Sequence, residues 1–248
     1  MVAIFSDTGA TSGIGAETAR VLAKKGVRVI IPARDLVKAE KVKDNIQRES
    51  PQAEIIILEI DLSSFDSIQR FCYEFLSLGL PLHILINNAG KYSQKLELSE
   101  DKIELTFATN YLGHFLLTEM LLGKMVETAS ETQIQGRIAR KSNVTVNAVH
   151  PGIVKTGITR DYKGFITDSF YFVASKLLKS TSQGAATTCY VALSPNVEGI
   201  GGKYFADCNE TQCSPLANDD IEARNLWKQT RAFIKRRFYL PVTPDLDG

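Results

Sequence analysis

The sequence predicts a single α/β domain built on a doubly wound parallel sheet, and three observations predict it. A glycine-rich stretch, Thr8-Gly9-Ala10-Thr11-Ser12-Gly13-Ile14-Gly15, lies between a short apolar run and an amphipathic segment. Continuous β-branched runs then alternate with longer segments charged on one face, the pattern of parallel strands covered on both sides by crossover helices. A chain of 248 residues with 44% hydrophobic content can also bury a full core as one domain, spanning 1–248.

Taken in order, residues 2–5 read as the first strand and 16–25 as the first helix. Asp7 would put a costly carboxylate into a buried strand, so either the strand stops at Phe5 with Ser6-Asp7 bulged, or this terminus is altered. Residues 27–32 form the second strand after Gly26, 36–49 a helix, and 55–58 the third strand. That strand leads through Asp61-Leu62 to Ser63, whose hydroxyl is placed to cap a helix reaching about Leu76. Residues 83–86 are the fourth strand, followed by Asn87-Asn88-Ala89-Gly90 and a long helix over roughly 101–128. A strand over 144–149 ends at His150-Pro151-Gly152 and opens an aromatic connection with Phe165, Phe170, Tyr171 and Phe172. A helix over 183–192, a short strand over 202–205 and a basic amphipathic helix over about 219–238, stopped near Pro241, complete the chain.

Composition excludes several classes of function. A net charge of +1 gives no global attraction to nucleic acid or anionic membranes. Cys72, Cys189, Cys208 and Cys213 lack CxxC spacing, so free thiols in a reducing compartment such as the cytoplasm are expected. His83, His114 and His150 lack metal-ligand spacing and read as core or surface residues; no metal is expected. No apolar run reaches the ~18 residues of a transmembrane helix, and because the glycine stretch begins almost at once, no signal or transit peptide is expected in the first residues.

The glycine stretch carries the chemistry. A strand, a glycine turn and a helix start in that order gather backbone N–H groups and the positive end of a helix dipole at one point, which suits a phosphate. Gly9, Gly13 and Gly15 permit the tight turn, the close approach of a ligand and close helix–sheet packing. An acid some 20 residues later would accept from a ribose 2′-hydroxyl, whereas an arginine suits a 2′-phosphate. Arg34 stands there, so the sequence favours NADP(H) over NAD(H), with the neighbouring Asp35 pulling the other way and an ordinary solvated arginine as the plainer alternative.

Five motifs in order resemble the short-chain dehydrogenase/reductase superfamily: Thr8-Gly9-x-x-x-Gly13-x-Gly15, Asp61-Leu62, Asn87-Asn88-Ala89-Gly90, Asn110 within Asn110-Tyr111-Leu112-Gly113-His114-Phe115, and Pro151-Gly152. Residues 107–118 and 202–209 look most like its retinol-dehydrogenase-like branch, which includes plant members associated with the chloroplast inner-envelope protein translocon. The resemblance implies a Rossmann-type fold and hydride transfer between NADP(H) and a hydrophobic alcohol or carbonyl. It implies a cofactor held by Gly9, Ala10, Thr11, Ser12, Gly13, Ile14, Gly15, Arg34, Asp61, Leu62, Asn88, Ala89, Gly90, Pro151 and Gly152, with Asn110 as the asparagine of a catalytic tetrad. It also implies a peripheral chloroplast inner-envelope location and calmodulin as a partner.

The rest of that tetrad is missing. The family's proton donor is a tyrosine with a lysine four positions later, because a phenol near pKa ~10 needs an adjacent cation to work at neutral pH. None of the eight tyrosines here has lysine at that spacing; Tyr171 and Lys176 are five apart and fall in the lid. The family's strand beginning like Gly136-Arg137-Ile138 should be followed by serine, substrate loop and the tyrosine helix before a strand like 143–149, yet only Ala139-Arg140-Lys141-Ser142 intervene. Two neighbouring parallel strands need roughly a dozen residues or more to cross over, so one strand–helix unit is absent between Ile138 and Asn143, and Ser142 is a junction residue. The loss should uncover apolar faces of the 101–128 helix and of the strand after Asn143.

The C-terminal helix reads in two ways. From Ala223 to Leu240 there are six basic residues and no acidic one, interleaved with Leu226, Trp227, Phe233, Ile234, Phe238 and Leu240. Trp227 to Leu240 could dock in calmodulin's groove, or the helix could pack Trp227 on the domain with its charges in solvent.

Overall fold

The computed structural model describes residues 1–5, 10–93, 95–132, 144–154 and 178–237. The junction at 139–142, Tyr171, Lys176 and the aromatic connection lie outside the described residues, as do Ser6, Asp7, Thr8, Gly9, Phe238 and Leu240. The chain divides into two compact units, Met1–Thr211 and Gln212–Gly248.

In the first unit the expected alternation holds: β1 (Val2–Phe5), α1 (Gly13–Lys24), β2 (Arg28–Ala33), α2 (Leu36–Glu49), β3 (Ile55–Glu59), α3 (Phe65–Ser77) and β4 (Ile84–Ile86). These strands form one parallel sheet in the order β3-β2-β1-β4, with Ile4 opposite Ile30 and Leu85, and Ile31 opposite Ile57. Burial of Leu22, Ala23, Val29, Ile31, Ala39 and Ile46 packs α1 and α2 on one face. Phe71, Phe75, Leu117, Leu121 and Met125 are fully buried where α3 meets α5.

Several local boundaries differ from expectation, three of them with a local cause. The first helix begins at Gly13 rather than residue 16, because Gly13 at φ +58° turns the chain directly into it. Ser64, not Ser63, caps α3 by accepting from the Ser67 N–H at 3.4 Å; Ser63 instead donates its N–H and hydroxyl to Asp61 Oδ1 at 2.8 and 2.6 Å. The long helix starts at Leu105 and is interrupted, with one α turn (α4, Leu105–Phe107), a π turn over Ala108–Leu112, and then α5 (Gly113–Thr132).

The described strands fall into two sheets, and the second begins after the short junction. β5 (Asn147–His150) pairs in parallel with β6 (Lys203–Ala206), which pairs antiparallel with β7 (Asn209–Thr211) in a separate sheet. Among the described residues, β4 pairs only with β1 and β5 only with β6. Ala148 and His150 on β5 are exposed, so the uncovering expected there is present, while the α5 row of Leu116, Leu117, Leu121 and Met125 stays buried. Two buried polar atoms among the described residues are without hydrogen-bond partners: His114 Nδ1, whose ring touches the segment after β4, and Thr145 Oγ1, just before β5. Helix α6 (Thr181–Leu193), closed by a Ser180–Gln183 capping box, packs on α1 and β5.

The second unit carries α7 (Asp220–Arg237), capped by the Asp219 carboxylate on the N–H groups of Ile221 and Glu222 at 2.9 and 3.0 Å. Acids at its start and Lys235, Arg236 and Arg237 in its last turn match the helix dipole. Trp227 is 42% and Leu226 51% exposed, while Thr230 and Ile234 are buried.

Candidate functional site

Parallel strands in the order β3-β2-β1-β4 deliver their following loops to one edge of the sheet. Asp61-Leu62 follows β3, Arg34 follows β2, the glycine turn follows β1, and Asn88-Ala89-Gly90 follows β4. Ligands of open α/β sheets bind in the crevice outside such strand ends. Separate stretches of sequence are thus brought to one rim by topology alone.

At the glycine turn, Ala10 is fully buried and Ser12, in extended conformation at the N-cap, makes no side-chain cap bond. No acid lies in the first turn of α1, so its N–H groups and dipole suit an anion. Thr11 and Ile14 are half-buried, and Gly15 is buried inside the first turn. A Cβ on Gly184 of α6 would lie 3.1 Å from Ile14 Cγ1 and 2.7 Å from Val154 Cγ2, so a missing side chain lets α6 press against the glycine turn and the segment after Gly152 together. The sequence signal for this contact is the glycine inside a helix, which marks close packing.

Arg34 and Asp61 form an ion pair at 3.5 Å. Asp61 holds Ser63 with Oδ1, offers Oδ2 to Arg34 and donates its backbone N–H to Ser67 Oγ at 2.8 Å. Asp35, the apparent competitor, is used elsewhere: it caps α2 through the Lys38 N–H at 3.0 Å and pairs with Lys38 Nζ at 2.6 Å. Those contacts with Lys38 hold its carboxyl below the usual range. Leu62 is fully buried, and a Cβ on Gly113 would fall 2.2 Å from its carbonyl oxygen, so Gly113 lets α5 dock on the Asp61-Leu62 turn.

Beyond β4, Ala89 is buried and its carbonyl meets His114 Nε2 at 2.8 Å, while Asn87 donates to Thr118 Oγ1 at 2.9 Å. Burial pushes the His114 imidazole below its ordinary value, against the raising effect of its bond to Ala89. Asn110, on the π turn, is committed to the backbone of Lys91: Oδ1 accepts the N–H at 2.9 Å and Nδ2 donates to the carbonyl at 2.8 Å. Its side chain therefore ties the π turn to the segment after Gly90.

Pro151 and Gly152 leave β5 in the second sheet, Gly152 at φ +80° donating its N–H to His150 Nδ1 at 3.2 Å. Gly9 lies outside the described residues. Among the described residues there is no cluster of metal-ligating side chains and no helix long and apolar enough to cross a membrane. All four cysteines are free.

Comparison with known proteins agrees with this geometry. The model of the short chain dehydrogenase family matches residues 4–140, ending inside the four-residue junction. The chain is 40% identical to short-chain dehydrogenase TIC 32 B, chloroplastic, of Brassica napus over 272 positions, covering 89% of this chain and 85% of the relative. It is 35% identical to retinol dehydrogenase 12 of Bos taurus over 262 positions, covering 89% and 82%. An aligned span of 272 exceeds the 248 residues of this whole chain, so the relative carries positions with no counterpart here. Among solved structures, YwfH, an NADPH-dependent reductase involved in bacilysin biosynthesis, superposes with a TM-score of 0.66 over 82% of this chain and 95% of its own at 20% identity, a likeness of fold.

Proposed function

The chain belongs to the short-chain dehydrogenase family, and from that premise we propose that it binds NADP(H) along the rim of the four-stranded sheet and turns over poorly or not at all. The observation that supports the reading is the four-residue junction Ala139–Ser142, where the family's serine, tyrosine and lysine would be expected, together with a parallel sheet that, among the described residues, ends at β4. Bound NADP(H) supplies or accepts the hydride of this family's chemistry. This chain's residues hold it: the N-terminal turn of α1 takes the pyrophosphate, Arg34 the 2′-phosphate, Asp61 and Leu62 the adenine, Asn88-Ala89-Gly90 the far ribose, and Pro151-Gly152 the nicotinamide. Its sequence lacks the tyrosine–lysine pair that is the family's proton donor. Arg34 supports the phosphorylated cofactor because Asp35 is taken up by the cap of α2 and by Lys38.

The test is direct. NADPH fluorescence titration of the full chain should saturate, while assays with hydrophobic aldehydes and retinoids should stay well below the ~1 s⁻¹ at which ordinary enzymes begin. Turnover in that ordinary range sinks the impairment, and absence of binding sinks the cofactor reading.

A second reading has its own support. α7 forms a basic helix with Leu226, Trp227 and Phe233 exposed, the surface of a calmodulin target, and the Brassica napus relative is named as chloroplastic. On this reading the chain is a cofactor-responsive regulatory subunit at the chloroplast inner envelope, possessing no catalytic role of its own. Retention on immobilised calmodulin only when calcium is present is the expected result; calcium-independent or absent retention removes it.

A further inference from the structure

Lys179 joins three segments that the sequence keeps apart. It stands immediately before the Ser180 cap of α6, donates its backbone N–H to the Ile153 carbonyl at 2.9 Å and pairs in parallel register with Val154. Its side chain lies against Gly152: a Cβ there would fall 2.7 Å from Lys179 Nζ and 2.8 Å from Cδ and Cε. The ammonium pairs with the Asp207 carboxylate.

Asp207 and Cys208 form the two-residue turn between β6 and β7, at φ +50° and +59°. Two consecutive left-handed residues suit a hairpin turn of the mirror-image type, but neither is the glycine that would adopt it without strain. The turn is tied down by the Cys208 N–H, which donates to Thr187 Oγ1 on α6 at 3.3 Å. Strained backbone of this kind persists where surroundings over-determine it and gathers at ligand sites. The ion pair itself, with side chains 30% and 71% exposed, adds little to global stability, so its consequence is local.

We propose that Lys179 is a positioning residue for the nicotinamide end of the dinucleotide: its stem fixes the Pro151-Gly152 turn, and Asp207 fixes Lys179. The inference rests on the NADP(H) reading above and adds to it a pair that the glycine-turn motifs do not contain. Asp207 makes this the only lysine whose ammonium is anchored at that turn among the described residues. Position is the physical ground, since Gly152 follows the C-terminal end of β5, where ligands of α/β sheets sit.

Two probes separate the ends of the cofactor: NADPH, and adenosine 2′,5′-bisphosphate, which keeps the 2′-phosphate and lacks the nicotinamide. In the full-length chain, Lys179→Ala should weaken NADPH about tenfold and Asp207→Asn about fivefold, with the bisphosphate unchanged within about twofold and Lys179→Arg restoring most of the affinity. Lys179→Met keeps the stem and should lie between. Equal losses for both probes, or no loss for NADPH, overturn the proposal. A wild-type chain that binds neither probe instead overturns the cofactor reading on which it rests.

Discussion

Arg34 and Asp61 meet across the ends of two neighbouring strands, Nη1 to Oδ2 at 3.5 Å. The pair aims a guanidinium at the rim of the sheet and leaves Asp35 to cap α2, which assigns the two charges that compete in the sequence to different tasks.

Arg34→Ala should lower affinity for NADPH about tenfold or more and leave NADH nearly unchanged, since a planar guanidinium is matched to a phosphate and has no counterpart to meet on a 2′-hydroxyl. Parallel titrations with both cofactors measure it. An equal fall for both would mean that Arg34 acts only through the Asp61 turn.

Gly113→Ala places a methyl 2.2 Å from the Leu62 carbonyl oxygen and 3.0 Å from Leu62 Cβ, in a fully buried turn. Backbone has to move, so a loss of about 1–3 kcal/mol is expected. Thermal or urea unfolding reads it, and an unchanged midpoint would show that α5 does not bear on this turn.

His114 sets a pH dependence. Burial lowers its folded value below the ordinary 6.5, so the unfolded chain binds more protons and stability rises with pH. The contribution is complete above 6.5 and is lost as pH falls from there toward the lower folded value; His83, lowered chiefly by burial as well, adds in the same sense. The melting temperature should drop between pH 7 and 5, and His114→Leu should flatten that drop although it costs the bond to Ala89. An unaltered slope in the variant would place the titrating group elsewhere.

Burial pushes the Cys72 thiol up to about 12 and Cys189 up to about 11 from an ordinary 9.0, so neither is a thiolate at neutral pH. Cys72 should resist iodoacetamide until the chain unfolds, and Cys189 should react about a hundredfold more slowly than a free thiol, as peptide mass mapping would show. Rapid labelling of Cys72 in the native chain would contradict its complete burial.

Much of this was legible in the sequence because it rests on local rules. The glycine turn, the alternation of buried strands and one-sided helices, and the absence of a tyrosine–lysine pair need only periodicity, backbone freedom and spacing. A junction too short for a parallel crossover likewise announces a missing unit. The tertiary structure decided what depends on segments meeting. Among the described residues it set β5 with β6 and β7 in a sheet apart from β4, turned Asn110 onto the Lys91 backbone, paired Arg34 with Asp61, and laid Lys179 on Gly152. No spacing encodes those partners, because each side chain had several within reach of its own stretch and packing across the chain selected one.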